Sequence, residues 1–464
     1  MQEHTESRHA LVMGLGRFGG GVGVAAHLLR QGLDLLITDL RSERELAEAR
    51  GILEKAPGSE RITWRLGGHE IADFRRTDLV VANPAIPRPW DNPYLQTAVK
   101  AGIPVTTEVE LGLARCREGT VIAVTGSSGK STTCAMIHHL LEADSKRSIL
   151  GGNIGGSLLD LDDREIAEAD AVVVELSSFM LHWLGSAVDR MRPSVTVLTT
   201  LSSNHVDWHG NLAHYVESKS RLRALGDHHR FVPPAREHDV SAEARAAVGG
   251  EPWWRPVEAD PFEREEIRRE IMNAIDLQVP GEHQRRNAYT ALRAVAMHLE
   301  PETGQRPELA IRLARHLHDF TGLPHRLRPV ARAHDITAID DSKSTTPEAT
   351  VLAIASFPDP TRIHLIAGGY DKGSDLEPIR ALGDRVAGLY AIGETAARLV
   401  GGTTGHLCQN LDAAVHEATR RMRPGDVLLL SPGCASWDQF SDYEHRGREF
   451  LAAVQRHLVD ADPA

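Results

Sequence analysis

Apolar residues fall into short runs along this chain. Each run is closed by glycine or a small polar residue and followed by helically spaced positions. Three segments open in this way. The first is Ala10-Leu-Val-Met-Gly-Leu-Gly16, followed by a helix-like stretch at 22–30. The second is Val121-Ile-Ala-Val-Thr-Gly126, followed by one at 130–142, and the third, Arg362-Ile-His-Leu-Ile-Ala-Gly-Gly369, opens the final third of the chain. Further strands are predicted at 35–37, 79–82, 171–175, 195–198, 389–392 and 427–430. Strands alternating with helices imply βαβ units and parallel sheets, with ligands at the C-terminal strand ends. Residues 233–269 are rich in charge and proline and weakly periodic, so they read as irregular surface structure and not as a separate domain. No solenoid repeat is visible.

Length then sets the number of units. A chain of 464 residues suggests three domains, with linkers near Thr107 and near Gly322-Leu-Pro-His-Arg326. The expected division is 1–107, 108–322 and 323–464. Hydrophobic residues make up 41% and charged residues 25%, which suits an ordinary globular core. A net charge of −12 argues against a nucleic-acid binder. Cys116, Cys134, Cys408 and Cys434 form no C-x-x-C pair, so they read as free thiols. The polar N-terminus has no apolar leader segment, and no apolar run is long enough to span a bilayer, so a cytoplasmic protein without membrane contact is expected.

The strongest chemical signal is Gly126-Ser127-Ser128-Gly129-Lys130-Ser131-Thr132, directly after an apolar strand. Glycines let the backbone wrap phosphate, and the following helix N-terminus adds a positive cradle. Lys130 can reach terminal phosphates, and a Ser131 or Thr132 hydroxyl can ligate Mg²⁺. The loop is one residue shorter than the G-x-x-x-x-G-K-[ST] form. A second glycine loop, Gly14-Leu15-Gly16-Arg17-Phe18-Gly19, precedes a strand closed by Asp39. Alone it is compatible with NAD, with a nucleotide diphosphate or with a plain tight turn. Asn83 follows another strand and can line the same site.

Glu175 ends the apolar strand 171–175, where packing explains a carboxylate poorly and a Mg²⁺-binding role explains it well. His205 follows the strand end at 195–201, and is either a metal ligand or an ordinary histidine. Lys219, in a helical stretch, reads by itself as a solvated lysine.

Together these segments resemble the Mur ligase family over nearly the whole chain. The likeness includes the phosphate loop, Gly152-Asn153-Ile-Gly155, Glu175-Leu-Ser-Ser-Phe179 and His205-x-Asp207. It continues with Gly322-Leu-Pro-His-Arg326, Asp341-Ser-Lys343-Ser-Thr345, Gly368-Gly-Tyr-Asp-Lys372 and Leu430-Ser-Pro-Gly-Cys-Ala-Ser436-Trp-Asp-Gln-Phe440. The last four segments, and the N-terminal glycine loop, are similar to the D-glutamate-adding branch.

The resemblance implies an α/β fold of three domains. These are a Rossmann-like N-terminal domain, a central P-loop domain with a parallel sheet, and a Rossmann-like C-terminal domain. It implies ATP-dependent ligation of D-glutamate to UDP-N-acetylmuramoyl-L-alanine by a monomer. Residues 126–132 would hold ATP phosphates, with Asn287 at adenine and Arg326 and Asp341 completing the nucleotide site. Two Mg²⁺ ions would involve Ser131, Thr132, Glu175, His205 and a carbamylated Lys219. The catalytic set would be Lys130, Glu175, His205, Lys219 and Lys343. Residues 14–19, Asp39, Asn83 and Asn153 would contact the UDP substrate. Lys343, Thr345, Lys372, Ser436 and Tyr443 would surround D-glutamate.

Four positions depart from the family pattern: Met180 for glutamine, Gln284 for asparagine, Asn204 for an acid and Tyr443 for phenylalanine. The rival readings are another Mur ligase or a folylpolyglutamate-synthetase-like ligase, a nicotinamide-dependent dehydrogenase, and a P-loop binding protein without catalysis.

Overall fold

A computed structural model of the protein describes residues 8–15, 20–184, 192–225, 230–248, 251–256, 260–300, 302–371, 373–402 and 404–460. The described residues form three sheets. The first contains β1 (His9–Met13), β2 (Asp34–Asp39), β3 (Ile62–Leu66), β4 (Leu79–Ala82) and β5 (Val105–Thr106). All pairs are parallel, in the order β3-β2-β1-β4-β5. The order reverses between β1 and β4, and the crevice outside that reversal is where open parallel sheets take ligands. Asn83, just past β4, closes it by donating its backbone N–H to Met13 and its Nδ2 to the Gly14 carbonyl, at 3.0 and 3.3 Å.

The second sheet contains β6 (Val121–Thr125), β7 (Ser148–Gly152), β8 (Ala171–Glu175), β9 (Val195–Leu198) and β10 (Phe231–Val232), again all parallel, in the order β10-β9-β6-β8-β7. Val121, Ile122, Ala123 and Val124 of the central β6 are fully buried, which explains why that strand is continuously apolar.

The third sheet contains β11 (Arg328–Ala333), β12 (Ile336–Asp340), β13 (Ile363–Gly368), β14 (Gly388–Ile392), β15 (His406–Leu407) and β16 (Val427–Leu430), in the order β11-β12-β16-β13-β14-β15. Among the described strands of this sheet, β11 and β12 pair antiparallel and the other pairs are parallel. The chain separates into two compact units, Met1–Ala274 with Asn287–Arg315, and Ile275–Arg286 with His316–Ala464. The first two sheets lie in the first unit and the third in the second.

One expectation is corrected. Residues 233–269 are not merely surface. Val240, Ala244 and Trp254 are buried against Leu198, Leu201, Tyr215 and Val216, and Phe262 is buried beside them in sequence. Their apolar side chains are spaced by turns and short helices, so no period marks them. The hairpin β11–β12 was not anticipated either. Its turn residues His334 and Asp335 both have positive φ, 52° and 57°, without the glycine that usually signals such a turn.

Candidate active site

In the first unit, β6 delivers the chain to Gly126, and the helix Lys130–Ala143 carries it away. Two loop positions demand glycine. Gly126 has φ 155°, and a Cβ there would meet Thr199 Oγ1 at 2.0 Å. Gly129 has φ 82°, and a Cβ would meet Asn287 Oδ1 at 2.6 Å. That second approach places Asn287, from the helix Glu282–Leu299, directly against the phosphate loop. Lys130 Nζ lies 3.0 Å from the Gly126 carbonyl oxygen and 3.2 Å from that of Ser127. Ser128 is tied to the loop after β9, its N–H donating to Thr200 Oγ1 at 2.8 Å. Ser131 and Thr132 open the helix immediately after Lys130.

Glu175, the last residue of β8, is 1% exposed. Its Oε1 accepts from Asn153 Nδ2 at 2.9 Å, while Oε2 is buried with no hydrogen-bond partner. A buried carboxylate oxygen without a partner is costly, and a divalent cation is the natural complement. The site therefore fits Mg²⁺. Among the described residues no group of three or more His, Cys, Asp or Glu side chains could hold an ion by itself. Hydroxyls, phosphate oxygens and water would complete the shell, as Mg²⁺ commonly requires.

Lys219 is also 1% exposed, on the helix Leu212–Leu225. Its Nζ donates to the Gly126 carbonyl at 2.9 Å and to Thr125 Oγ1 at 3.2 Å, and lies 5.0 Å from the Tyr215 ring centroid. Burial, and then the charge of Lys130, hold its amine well below the usual lysine range, with Glu175 opposing. The reading of a solvated lysine is thus corrected, since helix packing turns this face inward. His205 is lowered by burial and by Lys130 and Lys219. It caps a single turn with φ 52°, and its ring lies 4.8 Å from that of Phe179.

A cavity of about 470 Å³ opens at the sheet reversal. Gly14, Asn83 and Asn153 line it, together with Arg41, Glu108 and Met180. Sequence reasoning missed Arg41 and Glu108 as lining residues. Asp39 acts on the loop itself, its Oδ2 accepting from Leu15 N–H and its Oδ1 from Arg41 N–H, both at 2.9 Å. The Leu15 side chain is wholly buried in the core under the first sheet, so only its backbone remains for a ligand. Gly16, Arg17, Phe18 and Gly19, assigned above to substrate, lie outside the described residues, as does Lys372.

In the second unit, the ends of β12 and β16 and the start of the helix Tyr443–Val454 bring together Asp341, Lys343, Ser436 and Tyr443. Asp341 accepts from Leu327 N–H at 3.1 Å and from Ser431 Oγ at 2.7 Å. Burial pushes its carboxyl up to about 6, against the pull of those bonds and of Arg326. Lys343 Nζ lies 3.3 Å from Tyr443 Oη and 4.9 Å from its ring centroid. Ser436 is 3% exposed and Thr345 is half-buried.

Beneath them lies a residue that the sequence did not announce. Arg446 is fully buried. Its guanidinium donates to Ser342 Oγ and to the carbonyls of Ser342, Cys434 and Ala435, at 2.8 to 3.3 Å. It thereby joins the segment carrying Lys343 to the one carrying Ser436.

A phosphate loop beside a buried acid on the adjacent strand is the arrangement of an ATP-using α/β enzyme. Family models match along the chain: the MurD-like N-terminal domain of Mur ligases over residues 8–107, the Mur ligase middle domain over 124–295, and the Mur ligase glutamate ligase domain over 325–434. The UDP-N-acetylmuramoylalanine–D-glutamate ligase of Koribacter versatilis is 33% identical over 97% of this chain and 98% of its own length. That of Anaeromyxobacter dehalogenans is 36% identical over 95% and 96%. Among solved structures, UDP-N-acetylmuramate-alanine ligase from Thermotoga maritima shares the fold with a TM-score of 0.52 at 18% identity, over 97% of this chain and 99% of that one. The chain belongs to the Mur ligase family, with the N-terminal domain of its MurD-like branch.

Proposed function

We propose that this protein is the ATP-dependent ligase that joins D-glutamate to UDP-N-acetylmuramoyl-L-alanine, releasing ADP and phosphate, in cytoplasmic peptidoglycan precursor synthesis. The observation that carries the reading is the buried Glu175, one oxygen unpartnered, on the strand next to the phosphate loop. The relatives named for this reaction extend over nearly the full chain. The functional division is a UDP-substrate domain at 1–107, an ATP domain at 108–322, and a D-glutamate domain at 323–464.

A carboxylate is a poor acyl donor. Its oxygen attacks the γ-phosphorus of ATP, the bond to ADP breaks, and an acyl phosphate forms. Phosphoryl transfer of this kind depends on positioning and charge neutralisation. Lys130, at the phosphate loop, lowers the repulsion between two anions. Glu175, His205 and the hydroxyls of Ser131 and Thr132 would hold Mg²⁺, which supplies Lewis-acid neutralisation of the phosphates. The amine of D-glutamate then adds to the acyl carbon, phosphate leaves, and a proton is lost to give the amide. Lys343, Thr345, Lys372, Ser436 and Tyr443 are assigned to hold D-glutamate, where charge-assisted bonds are strong. Asn287, Arg326 and Asp341 are assigned to the nucleotide, and Gly14 to Gly19, Asp39, Asn83 and Asn153 to the UDP substrate.

Lys219 is proposed to be carbamylated. A neutral amine adds to CO₂ and releases a proton, and the lowered amine pKa favours the neutral form. The product is an oxygen anion suited to a second Mg²⁺. A monomer suffices for this scheme.

The test is phosphate release from ATP with UDP-N-acetylmuramoyl-L-alanine and a panel of D- and L-amino acids. Release dependent on D-glutamate is expected. Release with no amino-acid dependence, or tight NADH binding without affinity for the UDP substrate, would overturn the reading.

A further inference from the structure

His205 stands at the start of a helix only one turn long, Val206–His209. A single turn fixes several dihedrals for few hydrogen bonds and does not sustain itself. Its internal bonds run from the N–H groups of Trp208 and His209 to the His205 carbonyl, at 3.2 and 3.0 Å. His205 itself has positive φ, a conformation that persists only where surrounding structure enforces it. The enforcing contacts come from the far end of the turn.

His209 is 1% exposed, and both of its ring nitrogens are engaged. Nε2 lies 2.9 Å from Ser178 Oγ, and Nδ1 lies 2.8 Å from His214 Nδ1. Ser178 is itself 2% exposed and stands three residues beyond Glu175. Next to Ser178, Phe179 stacks on Trp208 at 4.6 Å, and the Trp208 carbonyl accepts from Arg88 N–H at 3.2 Å. A closed circuit results, completed where the His205 ring meets Phe179, the neighbour of Ser178, at 4.8 Å. It runs from Glu175 along the chain to Ser178, across the hydrogen bond to His209, and back through one helical turn to His205.

We propose that His209 is a positioning residue, which through its bond to Ser178 sets His205 relative to Glu175 and so prepares the pair for a divalent cation. This rests on the reading of Glu175 and His205 as Mg²⁺ ligands. Outer partners that orient metal-binding side chains govern affinity nearly as strongly as the ligands do. Packing alone would be served by any ring of similar size. The circuit, in contrast, needs a polar atom where Nε2 stands. Glutamine supplies one there, while asparagine supplies one only near Nδ1.

The experiment uses the full chain with a non-hydrolysable ATP analogue and Mn²⁺ as probe, with free Mn²⁺ read by electron paramagnetic resonance and folding by thermal midpoint. Glu175→Gln should abolish tight Mn²⁺ binding. His209→Leu, His209→Asn and Ser178→Ala should each weaken it about 10- to 100-fold. His209→Gln should restore affinity to within about threefold of the parent, since it keeps the contact with Ser178. Should Glu175→Gln bind Mn²⁺ like the parent, the metal reading itself falls. If Glu175→Gln loses binding but Ser178→Ala or folded His209→Leu keeps the parent affinity, His209 is only a packed core residue and the proposal is overturned. Should His209→Leu fail to fold, Ser178→Ala and His209→Gln decide.

Discussion

Lys219 Nζ sits 2.9 Å from the carbonyl oxygen of Gly126, so a helix far along the chain is anchored to the first glycine of the phosphate loop. No carboxylate lies within ion-pair distance of this ammonium among the described contacts, and its hydrogen-bond partners are a carbonyl and a hydroxyl. An amine so placed is poised to be neutral, and a neutral amine is the form that reacts with CO₂.

Lys219→Ala should therefore be nearly inactive, with the rate down by about 100-fold or more. Short-chain carboxylic acids should restore part of it by occupying the vacated volume as surrogate oxygen ligands. Steady-state rates with and without added acetate or propionate measure this. A fully active Lys219→Ala enzyme would contradict the assignment.

Lys130→Ala should lose ATP-dependent ligation by about a thousandfold or more while the thermal midpoint stays near that of the parent. Its ammonium donates to the loop carbonyls of Gly126 and Ser127, at 3.0 and 3.2 Å, so its place is at the phosphate loop. Near-normal turnover by the folded variant would refute the role given to it.

Asp341 makes stability depend on pH. Its carboxyl is raised from the ordinary 3.8 to about 6 by burial. The folded state thus favours the protonated form. That contribution to stability is complete below about pH 4 and is lost as pH rises through about 6. The two-unit shift corresponds to roughly 2–3 kcal/mol. Asp341→Asn should flatten this window, so the variant gains on the parent between pH 4.5 and pH 7. Urea unfolding of both proteins across that range checks the sign. A difference that does not change with pH would show that Asp341 does not titrate there.

Arg446→Leu should destabilise the second unit by about 3–5 kcal/mol, because the buried carbonyls of Ser342 and Cys434 and the Ser342 hydroxyl lose this donor together, while the Ala435 carbonyl keeps the Tyr370 N–H. Burial pulls this guanidinium down to about 10, so it remains charged at neutral pH. Arg446→Lys should recover only part of the loss, since one ammonium cannot match the planar fork. In the folded Lys variant the KM for D-glutamate should rise more than kcat falls, because Lys343 and Ser436 are carried by the two segments that Arg446 joins. Chemical denaturation and steady-state kinetics read the two effects.

The sequence by itself determined the parts whose chemistry is local. The phosphate loop was legible because strand, glycines, lysine and helix follow one another without interruption. Glu175 stood out because an acid at the end of an apolar strand has no packing rationale, and the structure leaves its Oε2 unpartnered. The parallel sheets followed from alternating apolar runs and helical periods.

Tertiary structure decided what depends on residues distant in sequence. Lys219 reads as a surface lysine until its helix packs and removes it from water. Asn287 meets Gly129 only because the helix Glu282–Leu299 crosses the loop. Arg41 and Glu108 reach one cavity from separate elements of the first unit. Arg446 and His209 look like ordinary polar residues of short helices, and their partners are set by neighbouring elements that no period encodes. The β11–β12 hairpin stayed hidden because His334 and Asp335 adopt a turn conformation that glycine normally announces. Local propensity writes strands, helices and loops into the chain, whereas burial and close approach, which set protonation and partner choice, exist only once those elements are packed.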